Sequence, residues 1–125
     1  MANSRRVLLV EDTEDDYILT RAIFKEMSLE GYVLEWVSTS QDALREVRDA
    51  PPDVVLLDYQ LGPDTGVEVL ASMQTEGFDG PVVMLTGQSL EGLDQQALEA
   101  GAVDYLSKSD LDAASLSRAL RFAVL

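Results

Sequence analysis

The stretch VVLLDYQLGPDTG, residues 54–66, decides how this chain folds. Four aliphatic residues in a row belong in an interior, yet Asp58 follows them directly, and an ionised carboxylate is costly to place among apolar groups. A strand covered on both faces reconciles the two if it runs through the core and delivers its last side chain at the rim. The Gly- and Pro-containing loop after Asp58, then a helix expected from about 66 to 75, complete a strand–loop–helix unit.

The same unit recurs on either side. RVLLV (6–10) reads as a buried strand, and residues 13–27 as a helix with Ile18, Leu19, Ala22 and Ile23 sharing an apolar face. Thr13 is its expected N-cap, followed by acids that suit the helix dipole. YVLEWV (32–37) is a second strand, followed by a helix over 41–49 that Thr39 or Ser40 caps and Pro51 and Pro52 stop. Beyond the turn at 77–81, VVMLT (82–86) is the fourth strand, and a helix near 90–100 ends at Gly101. VDYLS (103–107) is the fifth strand. Ser109 or Asp110 is the expected cap of a last helix, roughly 111–123, with Leu116, Leu120 and Val124 at core spacing. Trp36, Met73 and Met84 are expected to pack without further role.

Five strands alternating with five helices predict an α/β fold, a doubly wound five-stranded parallel sheet with helices on both faces. One domain over residues 1–125 accounts for the whole length. Composition narrows the chemistry. There is no cysteine and no histidine, which removes thiolate chemistry, disulfides, histidine acid–base catalysis and histidine metal ligands. A net charge of −14 with only nine scattered basic residues argues against direct nucleic acid binding. The N-terminus turns acidic after a short apolar run, unlike a signal peptide, and no apolar run approaches the ~20 residues that span a bilayer. The expectation is a cytoplasmic domain without membrane insertion.

In parallel sheets of this kind, ligands bind beyond the carboxyl ends of the strands, where the strand order reverses. Glu11 and Asp12 follow strand 1, Asp58 ends strand 3, Thr86 ends strand 4, and strand 5 runs into Lys108. With the strand order 2-1-3-4-5, strands 1 and 3 are neighbours and the three acids converge. Two carboxylates about 5 Å apart repel by roughly 3 kcal/mol at an effective dielectric of about 20. Such a cluster calls for a cation, and an all-oxygen donor set suits Mg²⁺. A carboxylate beside that ion is also a competent nucleophile toward a phosphoryl group, with Lys108 spreading charge off its oxygens. Each residue alone has an ordinary explanation as a cap, a turn or a solvated charge. Their joint placement at the correct strand ends does not.

At this point VLLVED, VVLLDYQLGPDTG, VVMLTG and AGAVDYLSK together resemble the response-regulator receiver family over essentially the whole chain. The resemblance implies a flavodoxin-like (βα)5 fold with strand order 2-1-3-4-5. It implies a switch in two-component or phosphorelay signalling rather than a conventional enzyme: a phosphoacceptor that assists its own phosphorylation and dephosphorylation. Asp58 would accept the phosphoryl group. Asp12 would bind Mg²⁺ (or Mn²⁺) directly, Glu11 mainly through water, and Asp58 and the backbone carbonyl of Gln60 would complete the protein's ligands. Thr86 and Lys108 would contact phosphoryl oxygens, and Tyr105 would change rotamer as Thr86 moves inward.

The implied readout is the face of the fourth helix, fifth strand and fifth helix, where Asp104, Arg118 and Arg121 would support a homodimer or simply a solvated surface. With no histidine of its own, the chain needs a histidine kinase or phosphotransfer protein as donor, and it holds no output domain, so an effector or a longer parent chain is expected. Three positions depart from the family pattern: Ser109 stands where proline usually follows the lysine, Gly62 and Pro63 shift the loop proline by one, and Gly87 replaces a common alanine.

Two other classes share parts of the pattern. A dehalogenase-like aspartate phosphatase would need a second acid two residues after the nucleophile, where Gln60 stands. A flavin-phosphate binder would need amides and hydroxyls after strand 1, where Glu11-Asp12-Thr13-Glu14 repels a phosphate. A phosphorylation-independent docking module would be expected to have lost part of the acidic cluster, which is intact.

Overall fold

A computed structural model of the chain describes residues 4–27, 31–87 and 93–125. Its strands are β1 (Arg5–Val10), β2 (Tyr32–Val37), β3 (Val54–Asp58), β4 (Val82–Thr86) and β5 (Asp104–Ser107). Its helices are α1 (Glu14–Glu26), α2 (Ser40–Asp49), α3 (Gly66–Thr75), α4 (Leu93–Ala100) and α5 (Ala113–Ala123). The strands form one parallel sheet in the order β2-β1-β3-β4-β5, as expected. The expected start of the fourth helix near residue 90 lies outside the described residues.

Period-two alternation divides the core between the two faces of the sheet. Leu8, Val10, Val55, Leu57, Val82 and Met84 pack with Ala43, Val47, Val69, Leu70, Met73 and Ala97 of α2, α3 and α4. Val7, Leu9, Val54, Leu56, Val83 and Leu85 pack on the other face with Phe24 of α1 and with Leu116 and Leu120 of α5. Every residue of β3 and β4 is buried, which is why those strands read as unbroken aliphatic runs. At the edge of the sheet β2 is mostly half-buried, and Arg6 ties it to its surroundings through Glu35, 2.8 Å away, and the Pro51 carbonyl.

Three expectations are corrected. The buried face of α1 carries Thr20 and Phe24, while Ile18 and Leu19 are exposed. Burial of Thr20 is affordable because its hydroxyl donates to the Asp16 carbonyl at 2.8 Å. Thr13 occupies the N-cap position of α1, but its side chain makes no cap bond; its hydroxyl leans toward Asp12 Oδ1 at 3.4 Å. The last helix begins later than expected: Lys108–Asp110 form a single 3₁₀ turn, and Asp112 caps α5 in a reciprocal bond pair with Ser115. At α2 the cap is Thr39, which accepts from the Asp42 amide at 3.1 Å. Among the described residues no peptide bond is cis, so Ser109 follows Lys108 through a trans bond. No helix among them is long and apolar enough to cross a membrane.

Candidate functional site

Sheet register builds the site. Val10 pairs with Leu57, so Glu11 and Asp58 emerge at one level on adjacent strands. Asp58 pairs with Leu85, and Thr86 with Ser107, which places Lys108 just beyond Thr86. Oxygens of Glu11, Asp12 and Asp58 all lie within 4.8 Å of one another. A cavity of about 320 Å³ opens over them, lined by Asp12, Thr13, Asp58, Tyr59, Gln60, Thr86, Gly87 and Lys108.

Asp58 is 5% exposed, so the expectation of a carboxylate at the rim is corrected: it lies below the surface. The loop after β3 roofs it. Gln60 and Leu61 pair with Asp64 and Thr65 in a small antiparallel hairpin that the sequence reading did not anticipate. This hairpin brings the Gln60 amide to Asp58 Oδ1 at 3.3 Å and the Gly62 amide to Asp12 Oδ2 at 2.9 Å. Its far side is tied to α2 by Ser40, which donates to Asp64 Oδ2 at 2.8 Å. Thr65 then closes a capping box with Glu68 and starts α3. Gly66 leaves no room for a side chain against Met84 and the Asp58 backbone.

Lys108 is the hub of the charges. Its Nζ stands 2.8 Å from Glu11 Oε1, 2.8 Å from Asp16 Oδ2 and 3.3 Å from Asp58 Oδ2. Burial alone would lower the lysine, but the hydrogen bonds to Asp16 and Glu11 and the charges of Asp58 and Glu11 outweigh it and hold the ammonium well above its usual range. Glu11 is 1% exposed. Desolvation, then the hydrogen bond and charge of Asp58, push its carboxyl up to about 8, against the pull of Lys108. Its Oε2 is buried and has no hydrogen-bond donor. A buried, undonated carboxylate oxygen within reach of two other acids fits a bound divalent cation, which would supply the missing positive charge. Mg²⁺ suits the all-oxygen donor set.

All five residues expected at the strand ends thus meet. Tyr105 does not line the cavity; it is half-buried against the cluster of α2, α3 and α4, two residues before Ser107 on β5. Two functional groups were missed. Asp16 reaches Lys108 from α1, and only its helical phase within the acidic run Glu14–Asp16 distinguishes it in the sequence. Trp36 does more than pack: its Nε1 donates to the Glu11 carbonyl at 2.7 Å, with Tyr17 stacked on its ring at 4.2 Å.

Comparison with known proteins points the same way. The family model of the response regulator receiver domain matches residues 7–121. The transcriptional regulatory protein KdpE of Mycobacterium tuberculosis is 35% identical over 100 residues, covering 80% of this chain and 44% of KdpE. Response regulator RppA of Synechocystis is 35% identical over 115 residues, covering 90% of this chain and 48% of RppA. The chain therefore spans less than half the length of these relatives. Among solved structures, the receiver domain of a putative LuxO repressor protein from Vibrio parahaemolyticus superposes with a TM-score of 0.86 at 27% identity, over 98% of this chain and 91% of that one. The receiver domain of sensor histidine kinase PA1611 from Pseudomonas aeruginosa, with a magnesium ion in its active-site cleft, gives 0.83 at 26% identity, over 98% of each chain.

Proposed function

The chain belongs to the response regulator receiver domain family, and on that premise we propose that it switches by accepting a phosphoryl group on Asp58. The observation that carries this reading is the meeting of Glu11, Asp12 and Asp58 oxygens within 4.8 Å of one another, beside the Lys108 ammonium. Asp58 sits at the end of a rigid buried strand, so its carboxylate is aimed before any donor arrives. A carboxylate oxygen of Asp58 attacks phosphorus as the bond to a histidine nitrogen of the donor breaks, and the electron pair returns to that nitrogen. Lys108 and the Thr86 hydroxyl then hold phosphoryl oxygens, and the Gln60 amide steadies the aspartyl side of the new bond.

Glu11, Asp12, Asp58 and the backbone carbonyl of Gln60 would hold the divalent cation, Mg²⁺ or Mn²⁺, whose charge offsets that of the phosphoryl oxygens. These 125 residues hold no histidine, so the donor is a histidine kinase, a phosphotransfer protein or another domain of a longer parent chain. Tyr105 and Thr86 would relay the change to the α4–β5–α5 face, where an output domain, an effector or a second copy reads it. The coverage of less than half of KdpE and RppA supports a readout that lies outside these 125 residues.

Intact mass after incubation with a small phosphodonor and Mg²⁺ tests this reading. One added phosphoryl group is expected, absent in Asp58→Asn and absent with chelator. A wild type left unmodified by both the small donor and a matched kinase would sink it.

A further inference from the structure

We propose that Asp16 is a positioning residue of this pocket: it holds the Lys108 ammonium and is the partner that a phosphoryl group on Asp58 displaces. The inference rests on the reading of Asp58 as phosphoacceptor. An ammonium has three protons to donate, and in this protein three carboxylates surround it, those of Glu11, Asp16 and Asp58. A phosphoryl oxygen can therefore gain Lys108 only if a present partner lets go.

The three partners differ in what release costs. The Glu11 and Asp58 side chains are 1% and 7% exposed, so water cannot take over from the ammonium there. The Asp16 side chain is 34% exposed and rehydrates readily. Asp58 itself carries the incoming group and keeps the lysine close to it. Asp16 is the contact that yields.

Cavity geometry supports the same exchange independently. Lys108 lines two separate spaces. One is the cavity over Asp58, with Asp12 and Thr86. The other is a cleft of about 420 Å³ beside α1, lined by Asp16, Leu19, Ile23 and Leu111 among others. Asp58 faces only the first and Asp16 only the second, so the ammonium stands in the partition and Asp16 draws it away from the phosphoryl side. Neighbouring Glu14 and Asp15 are exposed and are not among the carboxylates around Lys108, so charge alone does not define the role.

Binding of beryllofluoride in the presence of Mg²⁺, measured by calorimetry, reads the competition. Asp16→Asn is expected to bind this phosphoryl analogue at least about threefold more tightly than wild type, because the competent lysine is no longer sequestered. Asp15→Asn removes the same charge without touching Lys108 and is expected to match wild type, as is Asp16→Glu, which keeps the contact. Exchange of the Lys108 ammonium protons, followed by ¹⁵N NMR in metal-free protein, is expected to quicken in Asp16→Asn but not in Asp15→Asn. Equal behaviour of Asp16→Asn and Asp15→Asn in both measurements overturns the role of Asp16 alone. A wild type that binds no beryllofluoride overturns the phosphoacceptor reading, and the competition with it.

Discussion

A Cβ on Gly66 would stand 2.6 Å from the Met84 sulfur and 2.8 Å from the Asp58 carbonyl oxygen. The methionine can move, being the flexible end of a side chain, but the Asp58 carbonyl is part of a strand buried on both faces. Gly66→Ala is therefore expected to destabilise the fold by ~1–3 kcal/mol through overpacking. Urea denaturation measures the loss. Phosphoryl incorporation is expected to fall with it, because any relief of the clash shifts the backbone of the acceptor.

Trp36→Phe isolates one hydrogen bond. Phenylalanine keeps a flat ring for Tyr17 to stack on but removes the donor to the Glu11 carbonyl. The expected cost is ~0.5–1.5 kcal/mol in denaturant. Divalent-ion affinity should weaken too, since that carbonyl anchors the backbone from which Glu11 and Asp12 project. Unchanged affinity in a calorimetric titration would show that the bond serves packing alone.

Glu11 makes metal-free stability depend on pH. Its carboxyl sits at about 8 in the fold, above its ordinary value of 4.5. A raised acid binds its proton more tightly when folded, so it favours the fold most at low pH, and this advantage is lost as pH rises from about 4.5 through 8. Lys108, raised above its ordinary range, keeps its contribution throughout that window. Glu11→Gln is expected to flatten the decline between pH 5 and 8. Urea midpoints at three pH values, wild type against variant, measure the difference; parallel curves would remove Glu11 as the cause.

Adding Mg²⁺ at pH 8 should restore what ionised Glu11 costs. At about 100 times its dissociation constant, a ligand that binds only the folded state adds ~2.7 kcal/mol. Asp12→Asn is expected to abolish most of the accompanying rise in melting temperature, and chelator to reverse it in wild type. An equal rise in the variant would locate the ion elsewhere.

The ends of β3 and β4 were legible because each is a run of aliphatic residues with one polar residue at its close, VVLLD and VVMLT. That pattern survives any helix packing, since parallel strands are covered on both sides. The face of α1 was misread for the converse reason. Counting apolar residues chose Ile18 and Leu19, while the fold buries Thr20, whose hydroxyl is satisfied within its own helix. Asp16 escaped notice among three consecutive acids, where only helical phase separates the one facing Lys108 from the two facing solvent. The cap of α5 shifted to Asp112 because the chain spends one 3₁₀ turn after Lys108 before the helix begins.

The displaced loop proline has a chemical meaning. Gly62 stands where relatives of this kind usually carry proline, adopts φ of 57°, and donates its amide proton to Asp12. A proline ring can do neither, since it fixes φ near about −65° and carries no N–H. By moving the proline to position 63, this chain gains a latch across 50 residues of sequence, joining the roof of the acceptor pocket to the acid that would hold the ion. Anyone transplanting the common loop into this protein would cut that latch, and anyone transplanting this loop elsewhere would carry it along.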